Sequence, residues 1–419
     1  MSRVPGFDAL LSDCSERLAQ LTTQRVMLYA GANLPSARAM AAYNPALACY
    51  PAMGPAFGKE QPETDLVSQL ELYASQTAMQ LFKAAWAEVR LPSCTLANLA
   101  IFHAYCKPGD RVLAPAAAHG GHLSQRRGGT ARLAGLVVDD LPFDLSTCRL
   151  DTPGAVALIE AHRPKLVILG RSIMLKADDI APVVAAAQAV GARTLFDASH
   201  VAGLIAGGTY PNPFEAGVDL ISSSTYKTLP GRPQGIVLGR RPEDAQALRD
   251  LLDTTMLANY DAGRLPSLCV TLSEALDDGG TYARNIVANS AALHQALLAA
   301  GLPVRGAEGP QTHTHQLLLP LSRSVDPRAV MLALQEHGIL IGTCVDPTLP
   351  GHHALRLGTQ FITRQGFSLA HMSEVARLLA QVLQPTPCGR LQLASAVHGR
   401  DLHGQIQCLM RELDFLTEY

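Results

Sequence analysis

Residues 197–235 read DASHVAGLIAGGTYPNPFEAGVDLISSSTYKTLPGRPQG. An aspartate, Asp197, closes an apolar run, and a single lysine, Lys227, follows about one βα unit later among small hydroxyl residues. A lysine at the end of a buried strand is costly unless its ammonium is neutralised, paired or converted into an imine. Such a lysine, with a carboxylate placed to face a pyridinium nitrogen, is the pattern expected of a pyridoxal 5′-phosphate (PLP) site. On these residues alone, a surface-loop lysine beside an unrelated strand-end aspartate is the competing reading.

Around this stretch, strand-like apolar runs alternate with helical patterns. The runs lie near Glu88–Leu91, Arg111–Ala114, Gly135–Val138, Lys165–Gly170, Arg193–Asp197, Asp219–Ser222 and Gly235–Gly239. Seven runs with crossover-length connections predict an α/β fold, a mostly parallel sheet with helices on both faces. Upstream, residues 8–24 have the spacing of a short amphipathic helix, Val26 to about Lys59 is an irregular Gly/Pro-punctuated segment, and residues 63–87 read as a long helix. Downstream, a linking helix around Leu268–Ala299 precedes shorter runs at Pro303–Arg305, His315–Leu321, Ile339–Ile341 and Ala354–Leu357. With two intervening helices these predict a smaller α+β domain. After a Pro-Thr-Pro break, GQIQCLMRELDFL predicts a last helix. The expected division is 1–60 (N-terminal helix and active-site loop), 61–285 (large cofactor domain), 286–384 (small domain) and 385–419 (helical extension).

Composition narrows the function classes. The 419 residues carry a net charge of −2 and no basic-aromatic cluster, so nucleic acid is not an expected partner. No uninterrupted apolar stretch of ~18 residues marks a membrane span. The opening MSRVPGFDALLSDCSERL has acidic residues and no sustained apolar run, unlike a secretory signal. Nine scattered cysteines without a CxxC pair do not describe a disulfide framework. The expectation is a soluble, reduced, cytoplasmic enzyme. The His313/His315 and His352-His353 pairs lack a nearby cysteine or carboxylate at ligand spacing, so no metal is expected.

The 197–235 stretch resembles serine hydroxymethyltransferase, a PLP enzyme of fold type I (the aspartate aminotransferase superfamily). The likeness continues through GGHLS at Gly120–Ser124, ILGRS at Ile168–Ser172 and ALRLGTQFITRQGF at Ala354–Phe367, in order and at matching spacings. It implies a Schiff base at Lys227 and a pairing of Asp197 with the pyridine nitrogen. It further implies contact of His200 with the cofactor's ring oxygen and stacking of His122 on the ring face. Ser172 and Ser224 match hydroxyl residues near the ring and the lysine, although both could simply cap helices. For the phosphate, the matching turn is PSCTLAN, making Ser93, Cys94 and Thr95 the candidates at a helix start where unpaired N–H groups bind an anion. Gly263, in DAGRLP, resembles the loop that reaches the phosphate from a partner subunit, which implies a homodimer with shared sites. Arg356, in ALRLGT, matches the arginine that grips the substrate carboxylate, a task suited to its planar fork. Small-molecule amino acids and aldehydes are the implied substrates.

Departures from the family cluster at one pocket. Hydroxymethyltransferases carry a loop whose glutamate serves proton transfer with the folate-bound one-carbon unit. Here the match is ALACYPAMGPAFG, with Ala48 at the glutamate, Ala46 at the first tyrosine, and only Tyr50-Pro51 retained. Cys344, in GTCVDP, stands at an asparagine that contacts the pterin, Tyr226 at a histidine, and Gly31-Ala32 at a Ser-Glu pair. The segment GILIGTCVDPTLPGHHALRLGTQ and QTHTHQ at Gln311–Gln316 look closer to the folate-independent L-threonine transaldolases, which form a glycine quinonoid and acetaldehyde from threonine. The reaction expected is therefore aldol-type cleavage or formation of a Cα–Cβ bond in a β-hydroxy-α-amino acid, with tetrahydrofolate doubtful. Folate-dependent hydroxymethyl transfer is the alternative, as is other PLP chemistry such as transamination, racemisation or α-methyl amino acid synthesis. For the proton of the β-hydroxyl, Tyr226, His122 and water all remain open.

Overall fold

The computed structural model describes residues 6–306, 314–394 and 401–413. Its principal sheet has seven strands, in the spatial order Trp86–Glu88, Gly235–Gly239, Leu220–Ser224, Arg193–Asp197, Leu166–Leu169, Arg111–Pro115 and Val137–Leu141. Pairing is parallel from Leu220–Ser224 through Val137–Leu141, whereas Gly235–Gly239 runs antiparallel to both of its neighbours. This is the expected mixed α/β architecture.

Side chains alternate across a strand. Leu166 and Ile168 therefore join one core with Val112, Leu195 and Leu220, while Val167 and Leu169 join a second with Leu113, Phe196 and Ile221. Helix Cys94–Tyr105 covers the first face through Ala97, Ile101 and Phe102; helix Asp65–Phe82 covers the second through Ala74, Ala78 and Phe82. Burial on both faces explains why these strands read as unbroken hydrophobic runs.

Helix Leu265–Ala299 has 35 residues, about 50 Å of rise. Leu268, Leu272 and Ile286 pack into the core of the large sheet, and Leu293 and Leu297 enter a separate core. That core lies on a three-stranded antiparallel sheet in the order Gln316–Pro320, His353–Gly358, Gly342–Val345. Helices Pro327–Glu336 and Met372–Val382 pack on it. Helix Leu402–Glu412 buries Leu402, Ile406, Leu409 and Met410 there, which accounts for the apolar spacing of the tail.

Several expectations need correction. The helix expected over 63–87 ends at Phe82, because Lys83 takes a left-handed conformation at its cap (φ 57°). The strand expected at Glu88–Leu91 accordingly comes earlier, at Trp86–Glu88. Pro303–Arg305 is not a strand: only Arg305 bridges to Leu318, and Pro303 has no N–H to give a ladder. The segment from Val26 is less irregular than expected. Val26–Met27 pairs in parallel with Ile339–Leu340, and Ser36 and Asn44 cap two short helices, Ala37–Ala41 and Pro45–Ala48. The Pro-Thr-Pro break leads into the turn, residues 386–390, of a hairpin between Leu383–Pro385 and Leu391–Leu393.

Candidate active site

Asp197 is the last residue of its strand, at the carboxyl end of the parallel sheet where α/β folds bind ligands. The chain then turns so that Ser199 and His200 stand beside it. Lys227 leaves the neighbouring strand three residues past Ser224 and is held from two sides. Thr228 donates through Oγ1 to the His200 carbonyl (3.0 Å) and accepts from Gly203 N–H (3.0 Å), and Asn33 donates to the Lys227 carbonyl. Two glycines permit this closeness: a Cβ on Gly203 would lie 2.1 Å from the Thr228 carbonyl oxygen, and one on Gly170 (φ +80°) would lie 2.3 Å from that of Asp197.

One cavity gathers most of the expected residues. Asp197, His200, Ser224, Tyr226 and Lys227 line it, with Ser172 and His122 from neighbouring loops. Ser93, Cys94 and Thr95 line it too, and Ser93 caps helix Cys94–Tyr105 by accepting from Leu96 N–H (3.3 Å). Arg356 reaches this region from the small sheet, donating through Nη1 to the Ser172 carbonyl (2.6 Å). Tyr50 and Gly263 lie elsewhere in the chain. Tyr50 is exposed and donates to the Pro62 carbonyl (3.0 Å), and Gly263 packs on Asn44 and Ala48, accepting from Asn44 N–H (3.0 Å).

Burial opposes a charge on Asp197. The hydrogen bond from Ser199, the charge of Lys227 and the amide of Asn98 nevertheless hold its carboxyl below the usual range. For Lys227, burial pushes the amine's proton affinity down, against the pull of Asp197 and Cys94 and with a further push from Arg356. His122 and His200 are likewise driven down by burial, His200 far below the usual imidazole range with Lys227 and Arg356 adding to the effect. Tyr226 is pushed up, chiefly by burial, so it keeps its proton at neutral pH; the Lys227 amine sits 5.6 Å from its ring centre. Burial and Asp197 raise the Cys94 thiol, which points at Asp197 Oδ1 (3.7 Å).

Several site residues were absent from the expected set. Asn98 and Gln125 donate to Asp197 Oδ2 at 3.0 and 2.9 Å, and Ser199 N–H donates to Oδ1 at 3.1 Å. Gln316 joins Ser172, His200 and Met174. The available signal was a polar amide within apolar surroundings: Asn98 in CTLANLAIFHAY, and Gln316 just before LLLP. Buried amides of this kind need partners.

These groups fit PLP. A buried carboxylate and a buried lysine face one cavity without an ion pair between them, a helix start lines it, and the buried Arg356 Nε has no hydrogen-bond partner. Among the described residues no three His, Cys, Asp or Glu side chains cluster as a metal site; His313 lies outside those residues. Among them, too, no helix is long and apolar enough to cross a membrane.

Fold and site together define a PLP-dependent enzyme of fold type I. The family model described as serine hydroxymethyltransferase matches residues 6–379, and the chain belongs to that family. It is 34% identical over 324 residues to a serine hydroxymethyltransferase of Methanopyrus kandleri, covering 76% of each chain. It is 32% identical over 354 residues to an alpha-methylserine aldolase of Variovorax paradoxus, covering 84% of this chain and 80% of that one. In fold it resembles the crystal structure of L-threonine transaldolase from Pseudomonas fluorescens, with a TM-score of 0.83, 24% identity, and coverage of 98% and 91% of the two chains.

Proposed function

We propose that this enzyme makes or breaks the Cα–Cβ bond of a β-hydroxy-α-amino acid, such as threonine or serine, by aldol chemistry that needs no folate. When bound, PLP supplies a sink for the electrons of a bond to Cα. Lys227, with its proton affinity lowered by burial, is the amine that holds the cofactor. Asp197 keeps a negative charge to hold a proton on the ring nitrogen. Ser93, Cys94 and Thr95 offer the helix start to the phosphate. Arg356 has one Nη committed to Ser172, and a substrate carboxylate would satisfy its buried Nε and orient the amino acid.

The observation that carries the folate-independent reading is the 46–58 segment, ALACYPAMGPAFG, which contains no carboxylate and no histidine. Ala48 packs beside Gly263, and the Tyr50 hydroxyl is turned to Pro62. Cys344, at the asparagine position, is a thiol whose pKa burial pushes up to about 12, so it stays neutral. Loss of a positioned acid/base lowers a rate by about a hundred- to ten-thousand-fold. Chemistry that uses the acid should therefore not outlast it, whereas chemistry confined to the amino acid can.

The similarity to alpha-methylserine aldolases supports a second reading, in which the amino acid carries a methyl group on Cα. The 31–34% identity to hydroxymethyltransferases keeps folate-dependent transfer as the alternative. Incubating the PLP-loaded enzyme with threonine, serine or α-methylserine, with and without tetrahydrofolate, separates the three by which amino acid is cleaved and whether folate is required. Acetaldehyde or formaldehyde without folate is the expected result. Serine turnover only with folate refutes it.

A further inference from the structure

Two histidines line the cavity, and the hydrogen bonds behind each ring fix which nitrogen carries its proton. For His200 the fixing residue is Gln316. Its Oε1 accepts from Met174 N–H (3.0 Å), and its Nε2 donates to the Ser172 carbonyl (3.1 Å). A backbone donor on one side and a backbone acceptor on the other leave the amide one orientation. The second Nε2 proton has two ring nitrogens in reach, His200 Nδ1 at 3.0 Å and His315 Nε2 at 3.4 Å, and the nearer, His200 Nδ1, accepts it. The same logic holds for His122, whose Nδ1 accepts from Ser124 N–H (3.2 Å) with the Ser124 hydroxyl 2.8 Å away. That hydroxyl itself accepts from Asn98 Nδ2 (2.8 Å), so its proton is free to point at His122.

We infer that Gln316 and Ser124 lock His200 and His122 as neutral Nε2–H tautomers, so that both present an N–H donor to the cavity and neither serves as a base. Gln316 is a positioning residue: it acts on the cofactor only through His200, a neutral N–H matched to an anionic ring oxygen. Lys227, Arg356, His122 and His315 all face His200 and oppose a second proton on its ring. His315, stacked at 5.8 Å from His200, is itself depressed to about 3 and adds no charge at neutral pH. With Tyr226 protonated as well, the β-hydroxyl proton is left to water or to the Lys227 amine. This deepens the function proposed above, but the locking rests on bonds within the protein and is tested without substrate.

The test is ¹⁵N NMR of histidine-labelled protein, with and without PLP, with His200 and His122 assigned through their Asn variants. Protonated Nε2 and unprotonated Nδ1 on both rings from pH 6 to 8 is the expected result; a proton on Nδ1 of either ring overturns the inference. Gln316→Glu removes the donor and adds an acceptor. His200 should then take a proton on Nδ1, PLP should bind at least tenfold more weakly, and its absorption should acquire a titration between pH 5 and 8, while Gln316→Asn, which keeps the amide on a side chain one methylene shorter, should show no such titration. If folded Gln316→Glu protein keeps the wild-type His200 signals and spectrum, Gln316 does not set the tautomer. Failure of aldehyde release with intact tautomers would count against the proposed reaction alone.

Discussion

Asp197 and Lys227 face the same cavity from the ends of neighbouring strands, each shifting the other's proton affinity, yet no ion pair joins them. Two opposite buried charges held apart are an expensive arrangement unless something belongs between them. Asp197 also accepts hydrogen bonds from Asn98, Gln125 and Ser199, so the attraction of Lys227 is not the sole support of its charge. The lysine is thereby left to react.

Asp197→Asn should keep the fold but impair the chemistry. The new amide would turn one NH₂ toward the donors of Asn98 and Gln125, at a cost of about 1–3 kcal/mol. Loss of the fixed charge opposite the ring nitrogen should lower kcat by about a hundred- to thousandfold. Thermal unfolding and steady-state rates on the PLP-loaded variant check the two effects separately, and a kcat within threefold of wild type contradicts the role.

Arg356→Lys should raise KM for the amino acid with a smaller change in kcat. Lysine keeps the charge but loses the fork, and a charge-assisted hydrogen bond contributes about 1.5–3 kcal/mol, roughly ten- to a hundredfold in affinity. Titration with glycine, followed by cofactor absorbance, measures it directly. Unchanged glycine affinity would mean that the carboxylate is bound elsewhere.

Acid should destabilise the cofactor-free protein earlier than carboxylate protonation alone would allow. His122, His200 and His315 all have folded-state pKa values below the unfolded value of about 6.5. Between the two values the unfolded chain binds more protons, so stability rises with pH and is lost as pH falls below about 6.5. Asp197 acts in the same direction at lower pH: its depressed pKa gives stability that is present above about 3.9 and disappears as pH falls through the folded value. Tm measured from pH 4 to 8 should decline on the acid side from about 6.5, and His315→Asn should flatten the slope. A flat profile down to pH 5 refutes this.

The 50–62 segment is tied to the body by a buried ion pair. Lys59, whose side chain is fully buried, donates to Glu71 (2.7 Å) and to the Gly54 carbonyl (2.9 Å), and Tyr260 also donates to Glu71. Lys59→Met leaves the buried carboxylate without its counter-ion and should cost about 3–5 kcal/mol in urea unfolding. Adding Glu71→Leu should recover most of that loss; a single variant as stable as wild type would show that the pair carries no weight.

The sheet was legible because both of its faces are buried: Lys165–Gly170 and Arg193–Asp197 read as continuous apolar runs, and Asp197, His200 and Lys227 fall where such runs stop. Arg356 was legible through ALRLGT. Asn98, Gln125 and Gln316 were not. An amide on an apolar helix or strand is informative only once its partners are known, and those lie 99, 72 and 116 positions away. The end of the Asp65–Phe82 helix was missed because Lys83, a good helix former, adopts a left-handed conformation. Tyr50 and Gly263 were expected from the family's loops, and in this chain neither lines its own cavity. Gly263 resembles the loop that reaches the phosphate from a partner subunit, and in this chain it packs beside Asn44 and Ala48.

Borohydride reduction of the PLP-loaded enzyme, followed by peptide mass analysis, tests most directly whether Lys227 is the amine that holds the cofactor. The predicted result is a reduced pyridoxyl phosphate adduct on the peptide containing Lys227, absent from Lys227→Ala protein that still folds. An adduct on Lys59, Lys165 or Lys176, or an undiminished adduct in the alanine variant, would contradict the assignment and the site built around it.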